Sequence, residues 1–287
     1  MNNEIRQLTP NQFPDLLKEI NDPPKKLYVK GELPPTDMKY LCIVGSRKYS
    51  QYGKEVCKTL IEGLRGYPIV IVSGLALGID SIAHESALDA GLRTIALPGS
   101  GLGENALYPR TNKNLAKRIL DEGGAILSEF EEDFKATLWS FPQRNRVMAG
   151  MSHAVLIIEA EERSGTLITS KFATEYNRDV LTVPGSIFSS NSSGPHMLLR
   201  LGATPIRKSG DILEALGFNI EEKQQSLDFE DLSEKEKEVI EALKTPMSRD
   251  DLIALLNLPI QEINVTISAM EIKGIIKESM GEMRINN

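Results

Sequence analysis

Three stretches of the chain decide its fold: YLCIVGSR (40–47), PIVIVSGLALG (68–78) and RTIALPGSGLG (93–103). Each begins with a short run rich in Val, Ile and Leu and ends in a segment rich in glycine or serine. Such runs are typical of strands buried on both faces of a parallel sheet. The same apolar pattern returns at 125–129, 154–160 and 179–185. It predicts an α/β fold with an extended Rossmann-like parallel sheet.

Amphipathic stretches between the runs predict the helices that cover this sheet. They lie near 51–65, 78–90, 111–122, 142–151 and 165–177, before a final helix pair that ends at about Leu216. Upstream, Thr9-Pro10 is typical of a helix start, which predicts a short helix to about Ile20. We therefore predict a lead-in with a short helix at 1–39 and the Rossmann-like domain at 40–217.

The C-terminal part has a different character. Residues 218–231 are polar and acidic without periodicity, which predicts a linker. Residues 232–287 begin with a capping-box pattern at Ser233, followed by two further helical stretches and two strand-like pieces around Met280-Gly281. Three helices and a terminal hairpin predict a small winged-helix-like domain.

Composition excludes several classes of protein. The 287 residues are 41% hydrophobic and 25% charged, which is ordinary globular usage. No apolar run approaches the roughly 18 residues of a membrane span, and the polar start MNNEIRQLTPNQF does not resemble a signal peptide. We expect a cytoplasmic protein with no membrane partner. Two cysteines and three scattered histidines predict no disulfide, no metal site and no metal cofactor.

The net charge of −7 is unevenly distributed. Residues 1–217 contain 25 Lys+Arg and 25 Asp+Glu, whereas residues 218–287 contain 8 and 15. Phosphate contacts are short-range and are screened over about 8 Å at physiological salt. The acidic total therefore does not exclude a nucleic-acid groove in the neutral part, but the C-terminal part is a poor candidate for phosphate contact.

Loops rich in glycine and serine follow four of the predicted strands: 45–48 (GSRK), 73–78 (SGLALG), 99–103 (GSGLG) and 163–166 (RSGT). Ligands of open α/β sheets bind beyond the carboxyl ends of the strands. Glycines let backbone N–H groups approach a phosphate, and helix N-termini favour anions. One such loop is equally typical of a cap or turn, but four together predict an anion-binding crevice. GSGLG does not match GxGxxG and no GxxxxGK[ST] occurs, so no nucleotide cofactor is predicted.

The segment WSFPQRNR (139–146) adds charge and flat apolar surface. Arg144 and Arg146 are bidentate phosphate donors, and Trp139 and Phe141 are rings on which bases could stack. The rings are equally typical of core anchors, and the arginines of structural ion pairs. A Ser73, Asp80 and His84 triad is disfavoured because no GxSxG elbow is present.

These residues together resemble the DNA-processing protein A family, also called DprA or Smf. The resemblance covers about residues 27–215, and its motifs are GSR (45–47), SGLALGIDSIAHESAL (73–88), GSGLGENALYP (99–109), ILSE (126–129), FPQRNRVMAG (141–150), EAEERSGTLITSKFATEYNRDVLTVPG (159–185) and GA (202–203).

The resemblance implies a binding protein without catalytic residues or cofactors. It implies an extended Rossmann fold that binds and protects incoming single-stranded DNA, forms a homodimer and helps load the RecA recombinase in natural transformation and recombination. It places Arg47 on a DNA phosphate, Arg144, Asn145 and Arg146 in the same groove, and Lys171 nearby. The expected DNA-binding set is Gly45, Ser46, Arg47, Gly74, Phe141, Arg144, Asn145, Arg146, Ser164, Gly165 and Lys171.

Two departures limit the resemblance. Longer family members carry a helical domain before the sheet, where this chain has only the lead-in, so functions of that domain are not carried over. The expected recognition helix of the C-terminal domain, IQEINVTISAMEIK, has two Glu and one Lys. Helices that read DNA are usually basic. A protein-contact or structural role is therefore favoured for this domain.

Two other classes of function remain as alternatives. The sheet also resembles nucleotide-processing phosphoribohydrolases of the Lonely Guy (LOG) type, and Ser164-Gly165-Thr166 is similar to part of their PGGxGTxxE loop. However, Glu162 and Arg163 precede SGT, and Thr169 stands where that motif has its Glu. A transcription regulator that uses the winged helix is disfavoured because that domain is acidic.

Overall fold

A nine-stranded sheet organises the first of the two units into which the chain divides, Met1–Ile220 and Glu221–Asn287. The computed structural model describes residues 4–35, 37–219, 232–256, 259–279 and 281–285. The strands of this sheet are β1 (Arg6–Leu8), β2 (Leu27–Gly31), β3 (Lys39–Val44), β4 (Ile69–Ser73), β5 (Arg93–Ala96), β6 (Ala125–Ser128), β7 (Ala154–Ile157), β8 (Asp179–Thr182) and β9 (Thr204–Pro205). Strands β3 to β8 coincide with the apolar runs of the sequence.

The order in which successive strands are added to the sheet reverses direction once, near the middle of the sheet. The order is β1-β2-β6-β5-β4-β3-β7-β8-β9, and the strands from β6 to β9 pair in parallel. The prediction of a mostly parallel, Rossmann-like sheet is confirmed. From β3 the chain builds outward through β4, β5 and β6, then crosses back to place β7 on the other side of β3. In such sheets the crevice beyond the carboxyl ends of the strands at the reversal is the usual ligand site.

Helices cover both faces of the sheet because its strands are apolar on both sides. In β3, Tyr40 and Cys42 join one core cluster, whereas Leu41 and Ile43 join the other. The helices are α1 (Asp15–Lys18), α2 (Gln51–Glu62), α3 (Ile79–Asp89), α4 (Lys113–Asp121), α5 (Ser140–Gly150), α6 (Thr166–Glu175), α7 (Ser193–Arg200) and α8 (Ser209–Ala215). Helices α2 to α6 agree with the predicted stretches to within three residues at each end. No helix in the described part of the chain is long and apolar enough to cross a membrane.

The lead-in differs from its prediction. The single helix expected from Thr9 to about Ile20 is instead a 3-10 turn at Pro10–Gln12 followed by the short α1. Phe13 between them is extended, with φ −67° and ψ 147°, because the ring of the following proline, Pro14, disfavours helical backbone before it. The lead-in also contributes β1 and β2, which add an antiparallel edge to the sheet beside β6.

The second unit consists of helices followed by a hairpin. Its elements are α9 (Glu234–Ala242), α10 (Arg249–Leu256), α11 (Ile260–Ile272), β10 (Ile276–Ser279) and β11 (Glu282–Ile285), and the two strands pair antiparallel. The predicted capping box is confirmed: Ser233 Oγ accepts from the Glu236 N–H, and the Glu236 carboxylate accepts from the Ser233 N–H. Most of the predicted linker, residues 220–231, lies outside the described residues.

Candidate nucleic-acid interface

A pocket of about 530 Å³ lies at the reversal in strand order. It is lined by the loop after β3, the loop after β7 and one side of α5. These segments bring together most of the residues expected from the sequence: Gly45, Ser46, Arg47, Phe141, Arg144, Asn145, Ser164 and Gly165. The crevice predicted from the glycine-rich loops therefore exists as a shaped cavity in the first unit.

Arg47 contributes an exposed positive charge to the wall of this pocket. Its guanidinium carbon lies 5.3 Å from the centre of the Phe141 ring, which is a cation–π distance. Among the described residues, no carboxylate forms an ion pair with Arg47. This arginine therefore keeps its hydrogen-bonding capacity for a ligand.

The backbone around Arg47 is fixed by short contacts with α3. The Ser46 carbonyl accepts from the Ile79 N–H at 3.2 Å, and Ser46 Oγ accepts from the Lys48 N–H at 3.0 Å. Gly78 has φ +85°, and a Cβ at this position would lie 2.4 Å from the Ser46 carbonyl oxygen. Only glycine combines this conformation with such a close approach. The loop that carries Arg47 is thus held in place before any ligand binds.

Arg144 and Asp80 form a buried ion pair at the pocket. Both residues are 6% exposed, and Arg144 Nη1 lies 3.7 Å from Asp80 Oδ2. Burial raises the pKa of Asp80, and the nearby Arg144 charge opposes that rise; burial also lowers the pKa of Arg144. Arg144 Nε has no hydrogen-bond partner among the described residues. The pair places a second guanidinium, whose charge is paired with Asp80, behind Arg47.

Gly74 supports this pair by its lack of a side chain. A Cβ on Gly74 would lie 1.2 Å from Arg144 Nη1. The guanidinium of Arg144 therefore occupies the space that any other residue would fill. The backbone N–H of Gly74 also donates to the Asp80 carboxylate. The structure thus gives Gly74 a supporting position behind the pocket.

Hydrogen bonds join the separate segments that line the pocket. Thr166 Oγ1 donates to the Gly45 carbonyl at 3.2 Å, and Asn145 Nδ2 donates to the Gly165 carbonyl at 3.4 Å. The Thr166 N–H donates to Ser164 Oγ at 3.2 Å, at the start of α6. A helix N-terminus carries partial positive charge. The start of α6 therefore adds partial positive charge to a pocket wall that contains Arg47 and the Arg144–Asp80 pair, and that Glu161 also lines.

A buried carboxylate braces the loop after β3. Glu159 is 3% exposed; it accepts from the Ser50 N–H at 2.9 Å, from the Ser50 hydroxyl and from Asn191 Nδ2 at 3.3 Å. Asn191 Nδ2 also donates to the Lys48 carbonyl at 2.9 Å. These contacts commit the Glu159 carboxylate to holding the loop.

The structure does not place Arg146 or Lys171 in this pocket. Arg146 is buried, and its Nη2 lies 2.6 Å from both carboxylate oxygens of Glu129. Arg144 and Arg146 therefore line different cavities, because residues two apart on a helix point to different sides; the DNA contacts of both stay predictions. Lys171 is exposed on α6, beside Glu175, and lines a different groove.

The predicted helix at 142–151 already contains both arginines, and the structure agrees. Both lie within α5 and are buried. Of the segment's two rings, Phe141 lines the pocket, whereas Trp139 packs edge-on against Phe130 and Phe134 at 5.7 and 5.4 Å. Lys48 and Thr166, which are outside the expected set, also line the pocket, as do the carboxylates of Asp80 and Glu161. The signal of Lys48 and Thr166 was present in the sequence, since both adjoin residues of that set.

Ser73, Asp80 and His84 do not form a triad. Ser73 Oγ donates to the Ile43 carbonyl at 2.7 Å, and His84 Nδ1 lies 2.7 Å from Thr94 Oγ1. Burial lowers the pKa of His84 to about 3, so the ring is neutral at physiological pH. Asp80 pairs with Arg144 instead of the histidine. The disfavoured triad interpretation is therefore excluded by geometry.

The fold and the pocket define a class of protein: a Rossmann-like α/β protein with an arginine-lined pocket at the topological switch point. The family model for DNA recombination-mediator protein A matches residues 4–217, so the chain belongs to that family. Protein Smf of Escherichia coli is 35% identical over 272 residues, which cover 92% of this chain and 72% of that protein. The DNA processing protein DprA of Bacillus subtilis is 38% identical over 210 residues, covering 73% and 70%.

Two solved structures share the fold. DNA processing protein A of Streptococcus pneumoniae superposes with a TM-score of 0.69 at 37% identity, covering 76% of each chain. The Helicobacter pylori protein, whose structure concerns its mode of binding single-stranded DNA, superposes with a TM-score of 0.66 at 33% identity, covering 74% of this chain and 95% of that one. The family recognised from the sequence motifs is therefore confirmed.

Proposed function

We propose that this chain binds single-stranded DNA in the pocket at the switch point. The observation that carries the proposal is Arg47, an exposed arginine without an ion pair among the described residues, lying over the Phe141 ring. A cation beside a flat ring accepts a phosphate and its neighbouring base together. A single strand exposes its base faces, whereas a duplex buries them in the stack. The pocket therefore favours an unpaired strand.

The proposed DNA contacts divide by what each residue offers. Arg47 and Arg144 supply positive charge, Phe141 supplies a stacking surface, and Gly74 leaves room for Arg144. Polar groups of the adjoining segments complete the contact set: Gly45, Ser46, Asn145, Ser164 and Gly165. Arg146 holds α5 in position without touching the strand. Lys171 would contact DNA only where the strand leaves the pocket along α6.

Membership of a recombination-mediator family supports a wider role. We propose that the protein protects incoming single-stranded DNA, works as a homodimer and helps load the RecA recombinase in natural transformation and recombination. A mediator must hold its strand firmly while leaving it chemically intact. A preformed loop that carries the exposed Arg47 suits binding of this kind.

Binding is favoured over catalysis. The LOG-type alternative needs a carboxylate after the SGT segment, and Thr169 stands there. The buried Glu159 near the pocket loops is committed to hydrogen bonds with Ser50 and Asn191. We therefore expect no release of base or phosphate from nucleoside monophosphates or triphosphates.

Single-stranded DNA should bind at least tenfold more tightly than duplex of the same length and mixed sequence. The physical reason is that stacking contributes about 1–3 kcal/mol per base and requires an exposed base face. A competition gel shift with a labelled single strand and unlabelled competitors measures the ratio. Equal or tighter binding to duplex would contradict the proposed site.

We propose that the second unit is a winged-helix-like domain with a structural or protein-contact role. Its element order, three helices and then a hairpin, supports this assignment. Along α11 the exposed side chains include the apolar Val265 and Ile272, 70% and 88% exposed. A helix that reads DNA would present basic residues on such a face.

Removal of residues 218–287 should leave affinity for single-stranded DNA unchanged or slightly higher. The deletion removes the whole net charge of −7, while the proposed pocket lies within the first unit. Fluorescence-anisotropy titrations of the full and shortened proteins, on both substrates and at two salt concentrations, measure the effect. A loss of tenfold or more on single strands, with the first unit still folded by circular dichroism, would move the binding site to the second unit.

A further inference from the structure

A second ring extends the pocket beyond Phe141. Tyr108, in the loop after β5, lies with its ring centre 6.0 Å from that of Phe141, at an interplanar angle of 49°. A small cleft of about 30 Å³ runs between Leu77 and these two rings. This cleft shares Arg47 and Arg144 with the main pocket. The two rings and the two cations therefore belong to one continuous surface.

Contacts of the backbone position the two residues that carry these rings. The Tyr108 N–H donates to the buried Ser100 Oγ at 3.1 Å. Phe141 packs against Gly99, where a Cβ would lie 2.6 Å from the ring, and Ser140 Oγ donates to the Gly99 carbonyl at 2.6 Å. Rings fixed in advance lose little conformational entropy when a ligand binds.

The Tyr108 backbone is anchored, and its ring is half exposed. Its exposed fraction is 46%, and that of Leu77 across the cleft is 49%. The Tyr108 hydroxyl has no hydrogen-bond partner among the described residues. A ring left open to solvent beside Arg47 offers apolar area next to positive charge. This combination suits a flat group that is covalently joined to a phosphate.

The dimensions indicate how such a group would bind. A cleft of about 30 Å³ holds a single water and is too small to admit a nucleobase. A base would therefore lie across the exposed Tyr108 ring, with Leu77 at its edge. Phe141 neighbours both Arg47 and Tyr108, and the two rings are tilted by 49° to each other, so a strand that follows this surface would meet the rings in succession.

We propose that Tyr108 stacks the nucleobase next to the one that Phe141 stacks, so that this surface takes two consecutive nucleotides of one strand. The inference rests on the proposed function and adds a base subsite to it. The ligand class is a single strand whose neighbouring bases are both unpaired.

The test compares Tyr108→Ala and Tyr108→Phe on an oligothymidine strand by fluorescence anisotropy. Tyr108→Ala should bind about five- to a hundredfold more weakly, which corresponds to the loss of one stacked base. The slope of log affinity against log salt should not change, because the ring contacts no phosphate. Tyr108→Phe should bind like the unaltered protein. On a strand with abasic sites, the penalty of Tyr108→Ala should disappear.

The matched control is Phe188→Ala. Phe188 is 93% exposed, follows β8 and lines neither cavity, so its removal should not alter affinity. Circular dichroism checks folding. If Tyr108→Ala unfolds, Tyr108→Leu replaces it, because leucine keeps an apolar side chain without a ring.

The outcomes separate the Tyr108 subsite from the proposed function. If the variant without the ring binds normally while Arg47→Ala still lowers the salt slope, only the Tyr108 subsite is overturned. The same holds if the penalty persists on abasic DNA. No binding by the unaltered protein overturns the proposed function itself.

Discussion

Arg47→Ala should weaken binding of single-stranded DNA by about ten- to a hundredfold. A hydrogen bond to a charged group is worth about 1.5–3 kcal/mol, and Arg47 has no ion-pair partner among the described residues to keep it from a phosphate. The slope of log affinity against log salt should also fall by about 0.7, the value for one phosphate contact on a single strand. Anisotropy titrations between 50 and 200 mM salt, roughly the range in which such slopes are defined, measure both quantities.

Arg65→Ala is the matched control for this prediction. Arg65 is also an exposed arginine, but it follows the end of α2 and pairs with Glu62. The substitution removes the same charge from the first unit, and Arg65 does not line the pocket, so neither the affinity for single-stranded DNA nor the salt slope should change. Arg47→Lys should keep the slope and lose part of the affinity, because lysine keeps the charge without the bidentate fork. An unchanged slope in a normally folded Arg47→Ala protein would remove Arg47 from the site.

The sequence predicts the central sheet and the pocket loops for a clear physical reason. Runs such as IVIVS at Ile69–Ser73 are apolar on both faces, and only a strand covered on both sides can bury them. Because the carboxyl ends of parallel strands meet at one edge, the loops at 45–48 and 163–166 are expected to converge. The strand pairing around β3 and the lining of the pocket confirm that convergence.

The lead-in strands could not be predicted in the same way. The strand Arg6–Leu8 has three residues, of which only Leu8 is buried. Three residues with one apolar side chain are too few to show the alternation of apolar and polar residues that identifies a strand. Its pairing with Leu27–Gly31 depends on a long-range contact, beyond the reach of local pattern.

The two arginines of QRNR show where local sequence stops being informative. Spacing alone places both near the aromatic residues, and either one could bind phosphate or pair with a carboxylate. The role of each arginine depends on the carboxylate with which it pairs. These carboxylates are distant in sequence: Asp80 for Arg144 and Glu129 for Arg146. The position of the Arg144 guanidinium also depends on Gly74, because glycine has no Cβ to fill that space. Such contacts become visible only when the chain is folded.

Arg146→Ala should destabilise the first unit by about 3–5 kcal/mol, the usual cost of removing one partner from a buried ion pair. The side chains of Arg146 and Glu129 are 9% and 13% exposed, so the substitution leaves a largely buried carboxylate without its cation. It also removes the hydrogen bond to the Asp22 carbonyl, which ties the lead-in to α5. Urea unfolding followed by the fluorescence of Trp139, the only tryptophan of the chain, measures this unit alone.

Lys171→Ala is the control that separates a buried ion pair from an exposed one. Lys171 and Glu175 lie 3.8 Å apart with side chains 75% and 47% exposed, and exposed pairs contribute about 0–1 kcal/mol. The unfolding midpoint of this variant should therefore stay close to that of the unaltered protein. Arg146→Lys should recover part of the lost stability, because it restores the charge beside Glu129 but not the two-point contact. If Arg146→Ala unfolds at the unaltered midpoint and instead lowers the salt slope of DNA binding, Arg146 contacts the strand and its structural assignment is wrong.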